Sequence, residues 1–305
     1  MARQKKTRAR VSAPNQPSLG SRSFWLAAGV FIVVVVGALI GVSALRHGDS
    51  SQRDIAAERG PMHVHGLGVN PSDRALYIAT HTGMWRVAAG ANKLEPVGQS
   101  RQDTMGFTVV GPNHFLGSGH PDNFEQPPLL GLIESFDSGA TWKPISLLGE
   151  ADFHVLRAFG GRVYGYDVSR ARLMVSGDGG QTWREHNPHA SVLDVVLDPA
   201  RPDRLVAATN EGLLVSADGG ATWKRIGPKA GLLAWPTSNR LYLVEANGTV
   251  LLSADYGRSW RRVGALGAPP AAFFARADRD LYAALHVGRI VRSRDGGRTW
   301  RAVTT

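Results

Sequence analysis

Beyond about residue 62 the chain is written in short apolar runs rich in Val, Leu and Ala, broken at close intervals by Pro, Asp, Asn and Gly. The clearest stretch is Ser191 to Gly227. It reads SVLDVVLDP, a turn at Ala200-Arg201-Pro202-Asp203, then RLVAATN, then GLLVSADGGATWKRIG. Short β-branched runs with this punctuation predict strands joined by tight turns. Four strands fit into the unit.

One phrase inside that unit recurs. Ser135 to Trp142, Ser176 to Trp183, Ser216 to Trp223, Ser253 to Trp260 and Ser293 to Trp300 all fit Ser-x-Asp-x-Gly-x-(Ser/Thr)-Trp. Successive Trp residues lie 41, 40, 37 and 40 positions apart. A fixed period near 40 residues marks a propeller or solenoid built from one supersecondary unit. The phrase falls between the third and fourth strands. Asp137, Asp178, Asp218, Asp255 and Asp295 can accept backbone N–H bonds there, and the Gly supplies a positive φ. Trp142, Trp183, Trp223, Trp260 and Trp300 are expected to start the fourth strands and bury their rings against the blades. These residues read as turn staples rather than as sugar or metal ligands.

The same template exposes two degenerate copies. His65 to Gly83 matches Leu193 to Gly212 almost position by position, but its later turn, Ala88 to Asn92, lacks the Asp and Trp. Gly106 to Leu148 carries an insertion from Pro121 to Leu130 after its second strand. The expected fold is all-β, a six-bladed propeller of four-stranded antiparallel blades near 62–98, 104–149, 152–188, 190–228, 230–264 and 268–304. Blade 6 ends with its own fourth strand, so closure cannot borrow a strand from the far end unless residues 50–60 supply one.

The N-terminal region has a different pattern. Phe24 to Leu45 is 22 residues without a charge. As a helix it would reach roughly 33 Å, enough to cross a bilayer core. Residues 1–23 carry Arg3, Lys5, Lys6, Arg8, Arg10 and Arg22 without an acid. That basic tail predicts a cytoplasmic N-terminus, a single membrane span at 24–45, a polar linker at 46–61, and a domain at 62–305 outside the cytoplasm. Val42-Ser43-Ala44 is the competing signal, a cleavage site, but the apolar run and the tail are long for a signal peptide. The tail holds six of the net ten positive charges, so the folded part gives no reason to expect nucleic-acid binding. The absence of cysteine excludes disulfides, thiolate metal ligands and cysteine nucleophiles.

The recurring phrase is the Asp box, or BNR repeat, and the chain resembles the Asp-box β-propellers. That superfamily includes sialidases, sortilin-type receptors and photosystem II assembly factors of the Ycf48/Hcf136 type. The likeness is nearest to bacterial BNR-repeat or sialidase-like glycosyl hydrolases, in which a segment similar to His63-Val64-His65-Gly66-Leu67-Gly68-Val69-Asn70-Pro71 opens the propeller. It covers about residues 62–304. The resemblance implies a sialidase apparatus: an arginine triad with an Arg-Ile-Pro motif, a Tyr–Glu nucleophile pair and an Asp acid/base. No Arg-Ile-Pro occurs here; the nearest string is Arg225-Ile226-Gly227-Pro228.

Candidate chemistry is expected where loops enter the first strand and leave the second, on the face opposite the Asp boxes. His63 and His65 open blade 1 and His81 ends its second strand. His120 ends the second strand of blade 2, His154 opens blade 3, and His286 ends the second strand of blade 6. His81, Asn210 and His286 share one alignment column, with Asp167 near it. Six imidazoles converging on the blade 6–1–2–3 side can hold a divalent transition metal, copper or zinc, or serve as proton donors to an anionic or sugar ligand. Asp103, Asp122, Glu125, Glu150, Asp152, Asp167, Asp194 and Glu245 are the acids near that face, with Asp122, Glu125, Asp167 and Glu245 as the contributors singled out. Two classes stay open. One is a membrane-tethered module binding a metal, a protein or a glycan; the other is a glycoside hydrolase acting on surface or extracellular glycans.

Overall fold

The turn made by the recurring phrase is closed by its own side chains. In blade 4, Ser216 Oγ donates to Asp218 Oδ1 (2.7 Å) and accepts from the Gly220 N–H (2.8 Å). Asp218 accepts from the Thr222 N–H at Oδ1 (2.9 Å) and from the Thr222 hydroxyl at Oδ2 (2.5 Å). Gly220 has φ +93°, in the left-handed region where a side chain is strained. The same bonds form around Asp137, Asp178, Asp255 and Asp295. A hydroxyl and a backbone N–H directed at the carboxylate favour its charged form. They pull Asp218 and Asp255 down to about 2, and hold Asp178 and Asp295 lower still.

The computed structural model of the chain describes residues 63–304. It contains six four-stranded antiparallel sheets whose strands lie side by side in sequence order. The blades run Val64–Val97, Asp103–Ser146, Phe153–Glu185, Val192–Gly227, Leu232–Ala265 and Pro270–Ala302. First strands of neighbouring blades touch all round the ring, so they line the axis. The fourth strands are short, and in blades 2–6 at least half of their residues are exposed, as expected at the rim. This is the propeller expected from the period.

Apolar packing lies between blades. Each of six buried clusters joins residues of two neighbouring blades; Tyr77, Phe107 and Phe115, for example, fill the seam between blades 1 and 2. The Trp of each phrase does not start the fourth strand. That strand begins one residue later, at Lys143, Arg184, Lys224, Arg261 or Arg301. Freed from the ladder, each ring packs against the seam between its own blade and the preceding one. Each ring is partly buried against its cluster, so the phrase links turn formation to ring assembly. Blade 6 closes on blade 1 by the same means, with Ala272, Tyr282, Ala284 and Ile290 against Val64, Ile78 and Trp85.

The segments expected to form the cytoplasmic tail, membrane helix and linker lie outside the described residues. Among the described residues no helix is long and apolar enough to cross a membrane.

Candidate functional site

In five of the six blades the first strand carries one extra residue near its start, so two residues oppose one on the second strand. Such a bulge bends the strand and redirects a side chain. The extra residue is His65 in blade 1, Met105 in blade 2 and His154 in blade 3. The residue two before it is His63, Asp103 and Asp152 in the same three blades. The strand pairing also aligns the residues closing the second strands: His81, His120, Val168, Asn210, Glu245 and His286. Polar groups therefore crowd one end of blades 1–3, joined by His286 of blade 6.

They form two triads. His65, His81 and Asp103 make the first; His120, Asp152 and His154 make the second. Within each, one ligand-type atom per residue lies within 4.8 Å of the others. His81 Nδ1 donates to Asp103 Oδ2 at 2.6 Å, and His65 Nε2 stands 3.6 Å from Asp103 Oδ1. His154 Nε2 donates to Asp152 Oδ2 at 3.0 Å, and His120 Nε2 stands 3.6 Å from the same oxygen. Blade 2 divides its residues between the triads, although Asp103 and His120 are direct cross-strand partners.

The second triad holds an electrostatic conflict. His120 Nδ1 is 2.8 Å from the carbonyl of Pro128, and a carbonyl only accepts, so the ring proton sits on Nδ1. When His120 is neutral, the lone pair of its Nε2 faces a carboxylate oxygen that already accepts from His154. His65 Nε2, Asp103 Oδ1, His120 Nε2 and Asp152 Oδ1 are all buried without a hydrogen-bond partner. Asp152 is only 6% exposed. Buried polar atoms without partners are costly, and a cation or proton between Nε2 and Oδ2 resolves the conflict.

Protonation follows burial. Burial, and then the neighbouring His81, push His65 down to about 3, so its imidazole is neutral at physiological pH. His63 is lowered too, first by burial and then by His81 and His286. Its ring meets the His81 ring edge-on at 5.1 Å, and the His65 and His81 rings are 4.3 Å apart. Burial works against the charge on Asp103, yet the His81 hydrogen bond and the surrounding imidazoles hold its carboxyl below the usual range.

The acids singled out from the sequence lie elsewhere. Asp167 falls one residue before the second-strand column. Side chains alternate faces along a strand, so its carboxylate is buried. It accepts from the Asp152 N–H (3.1 Å), the Ser169 hydroxyl (2.6 Å) and Arg172 Nε (2.9 Å). Asp122 accepts from the Arg101 N–H at 2.6 Å in the blade 2 insertion, where Glu125 is exposed. Glu245 pairs with Lys229 at 3.1 Å. The carboxylates in the triads are Asp103 and Asp152, and the signal that finds them is their shared position with His63.

No family model and no curated protein matches the sequence. Solved structures do. The GH74 xyloglucanase from Xanthomonas campestris aligns with 80% of this chain at 18% identity and a TM-score of 0.55. The GH74 enzyme of Niastella koreensis aligns with 80% at 16% identity and a TM-score of 0.60. This chain spans 45% of each of those two enzymes. YCF48 bound to a D1 peptide aligns with 80% of this chain and 82% of its own, at 15% identity and a TM-score of 0.51. At these identities the likeness is one of fold.

Proposed function

We propose that this chain is a membrane-anchored extracytoplasmic propeller whose histidine face binds a divalent transition metal, copper or zinc. The observation that carries this reading is the bare Nε2 of His120 facing Asp152 Oδ2, in a triad of two imidazoles and one carboxylate. Imidazole with carboxylate suits zinc and copper, and three protein ligands leave a position open. The Pro128 carbonyl orients the His120 ring by accepting its other N–H, as carbonyls commonly do for metal-ligating histidines. Asp167 steadies Asp152 through its backbone. The apolar run Phe24 to Leu45 supports the anchor, and the basic tail supports an N-terminus in the cytoplasm.

The test uses the full chain in detergent, stripped with chelator and then titrated with zinc or copper. Tight binding and a raised Tm are expected, with both reduced in Asp152→Asn. Absence of retained metal together with an unchanged Tm would overturn the reading.

The alternative is a glycosidase, with Asp103 and Asp152 as the acid and base that such hydrolysis requires. Turnover of glycans by metal-free protein, abolished in both Asp103→Asn and Asp152→Asn, would favour it.

A further inference from the structure

The two triads lie side by side. Asp103 belongs to the first and His120 to the second, and these residues face each other across one ladder of blade 2. Directly opposed residues have Cβ atoms about 4.5–5.5 Å apart, so the groups held by their side chains are neighbours. Each triad has its own carboxylate with one buried, unpartnered oxygen, Asp103 Oδ1 and Asp152 Oδ1.

Charge decides what such a centre takes next. Two divalent cations bring four positive charges, and Asp103 and Asp152 return two negative ones. His63 and His286 stand at the mouth outside both triads, where imidazole N–H groups can donate. A net-positive pair of ions flanked by donors recognises an oxyanion.

Resting on the metal reading above, we infer that the two triads form one dinuclear centre that binds a pair of divalent ions and an oxyanion bridging them. Carboxylate and phosphate share the required chemistry. One ion is held by His65, His81 and Asp103, the other by His120, Asp152 and His154. The His81–Asp103 and His154–Asp152 hydrogen bonds are exchanged for metal bonds on loading. Asp103 and His120 couple the halves through their shared ladder.

Zinc titration of the metal-free full chain in detergent tests the pair, with two ions per chain expected. Asp103→Asn and Asp152→Asn should each retain one. Loading with copper(II) should give a half-field resonance in the electron paramagnetic spectrum, the mark of two interacting spins. Inorganic phosphate and acetate, added separately, should bind the two-zinc protein and not the metal-free one. A single ion per chain, or two magnetically isolated coppers, overturns the dinuclear centre and leaves the metal reading standing. Binding of no metal removes both. Failure of both anions to bind the two-zinc protein, or equal binding to the metal-free protein, overturns the oxyanion ligand. The stoichiometry of the unaltered chain needs no variant to fold.

Discussion

The carboxylate of Asp167 accepts a hydrogen bond from the backbone N–H of Asp152 at 3.1 Å. A fully buried acid in blade 3, already paired with Arg172, thereby fixes the strand start that presents the Asp152 side chain. Groups that orient a metal ligand are typically worth 10–100-fold in affinity. Asp167→Asn is expected to weaken zinc binding by about tenfold, while Ser169→Ala, which removes only a local partner, leaves it within twofold. Equal affinities in calorimetric titration would remove Asp167 from any positioning role.

Acid stability should follow the turn staples. Asp218 and Asp255 are pulled down to about 2 from an ordinary value near 3.8. A carboxyl depressed in the folded state stabilises fully above its unfolded value, and that contribution is lost as pH falls toward the folded one. The Tm should therefore hold above about pH 4 and drop between about pH 4 and 2. Asp218→Asn should melt lower at neutral pH and show a shallower acid limb. Parallel limbs for the two proteins would contradict the assignment.

Asp194 ties three blades together. Its carboxylate accepts from Arg157 of blade 3 (2.7 Å), from the N–H of Leu233 in blade 5 (2.8 Å) and from the N–H of Val195 in its own blade (2.8 Å). Burial pushes its pKa up, and Arg157 opposes the rise. Asp194→Ala leaves a guanidinium and two N–H groups short of an acceptor, at a cost of about 3–5 kcal/mol. Asp194→Asn restores one acceptor and should recover part of that loss in urea unfolding. A cost below about 1 kcal/mol for the alanine variant would show the pair to be dispensable.

The repeated Trp residues should not be equivalent. Trp183 Nε1 donates to Ser146 Oγ at 3.0 Å, whereas Trp223 Nε1 is buried without an acceptor. Phenylalanine keeps most of either ring's packing and removes the N–H. Trp183→Phe should destabilise by about 1 kcal/mol more than Trp223→Phe, measured as urea midpoints at matched m-values.

Blade number and strand order were legible because one turn chemistry repeats, and the turn depends only on local bonds among Ser, Asp, Gly and Thr. The second-strand column was legible at His81, Asn210 and His286 for the same reason, since alignment from a common turn carries over to strand ends; the strand pairing adds His120. The inner-strand bulge was not. It arises from pairing between strands, and no residue type marks it: His65, Met105, His154, Leu193 and Ala271 share no chemistry. Asp103 and Asp152 sit two residues before the extra residue, whereas Asp167 lies on the second strand, one residue before the column. A displacement of one position along a strand exchanges the channel face for the blade interior.

The seam between blades 6 and 1 joins the two ends of the described chain by side-chain packing alone. Tension applied between residues 63 and 304 would fall first on that junction and unzip it like a split ring, before any hydrogen-bonded ladder within a blade had to yield. Because His63, His65 and His81 stand on one side of this junction and His286 on the other, the histidine mouth straddles the line along which the ring closes.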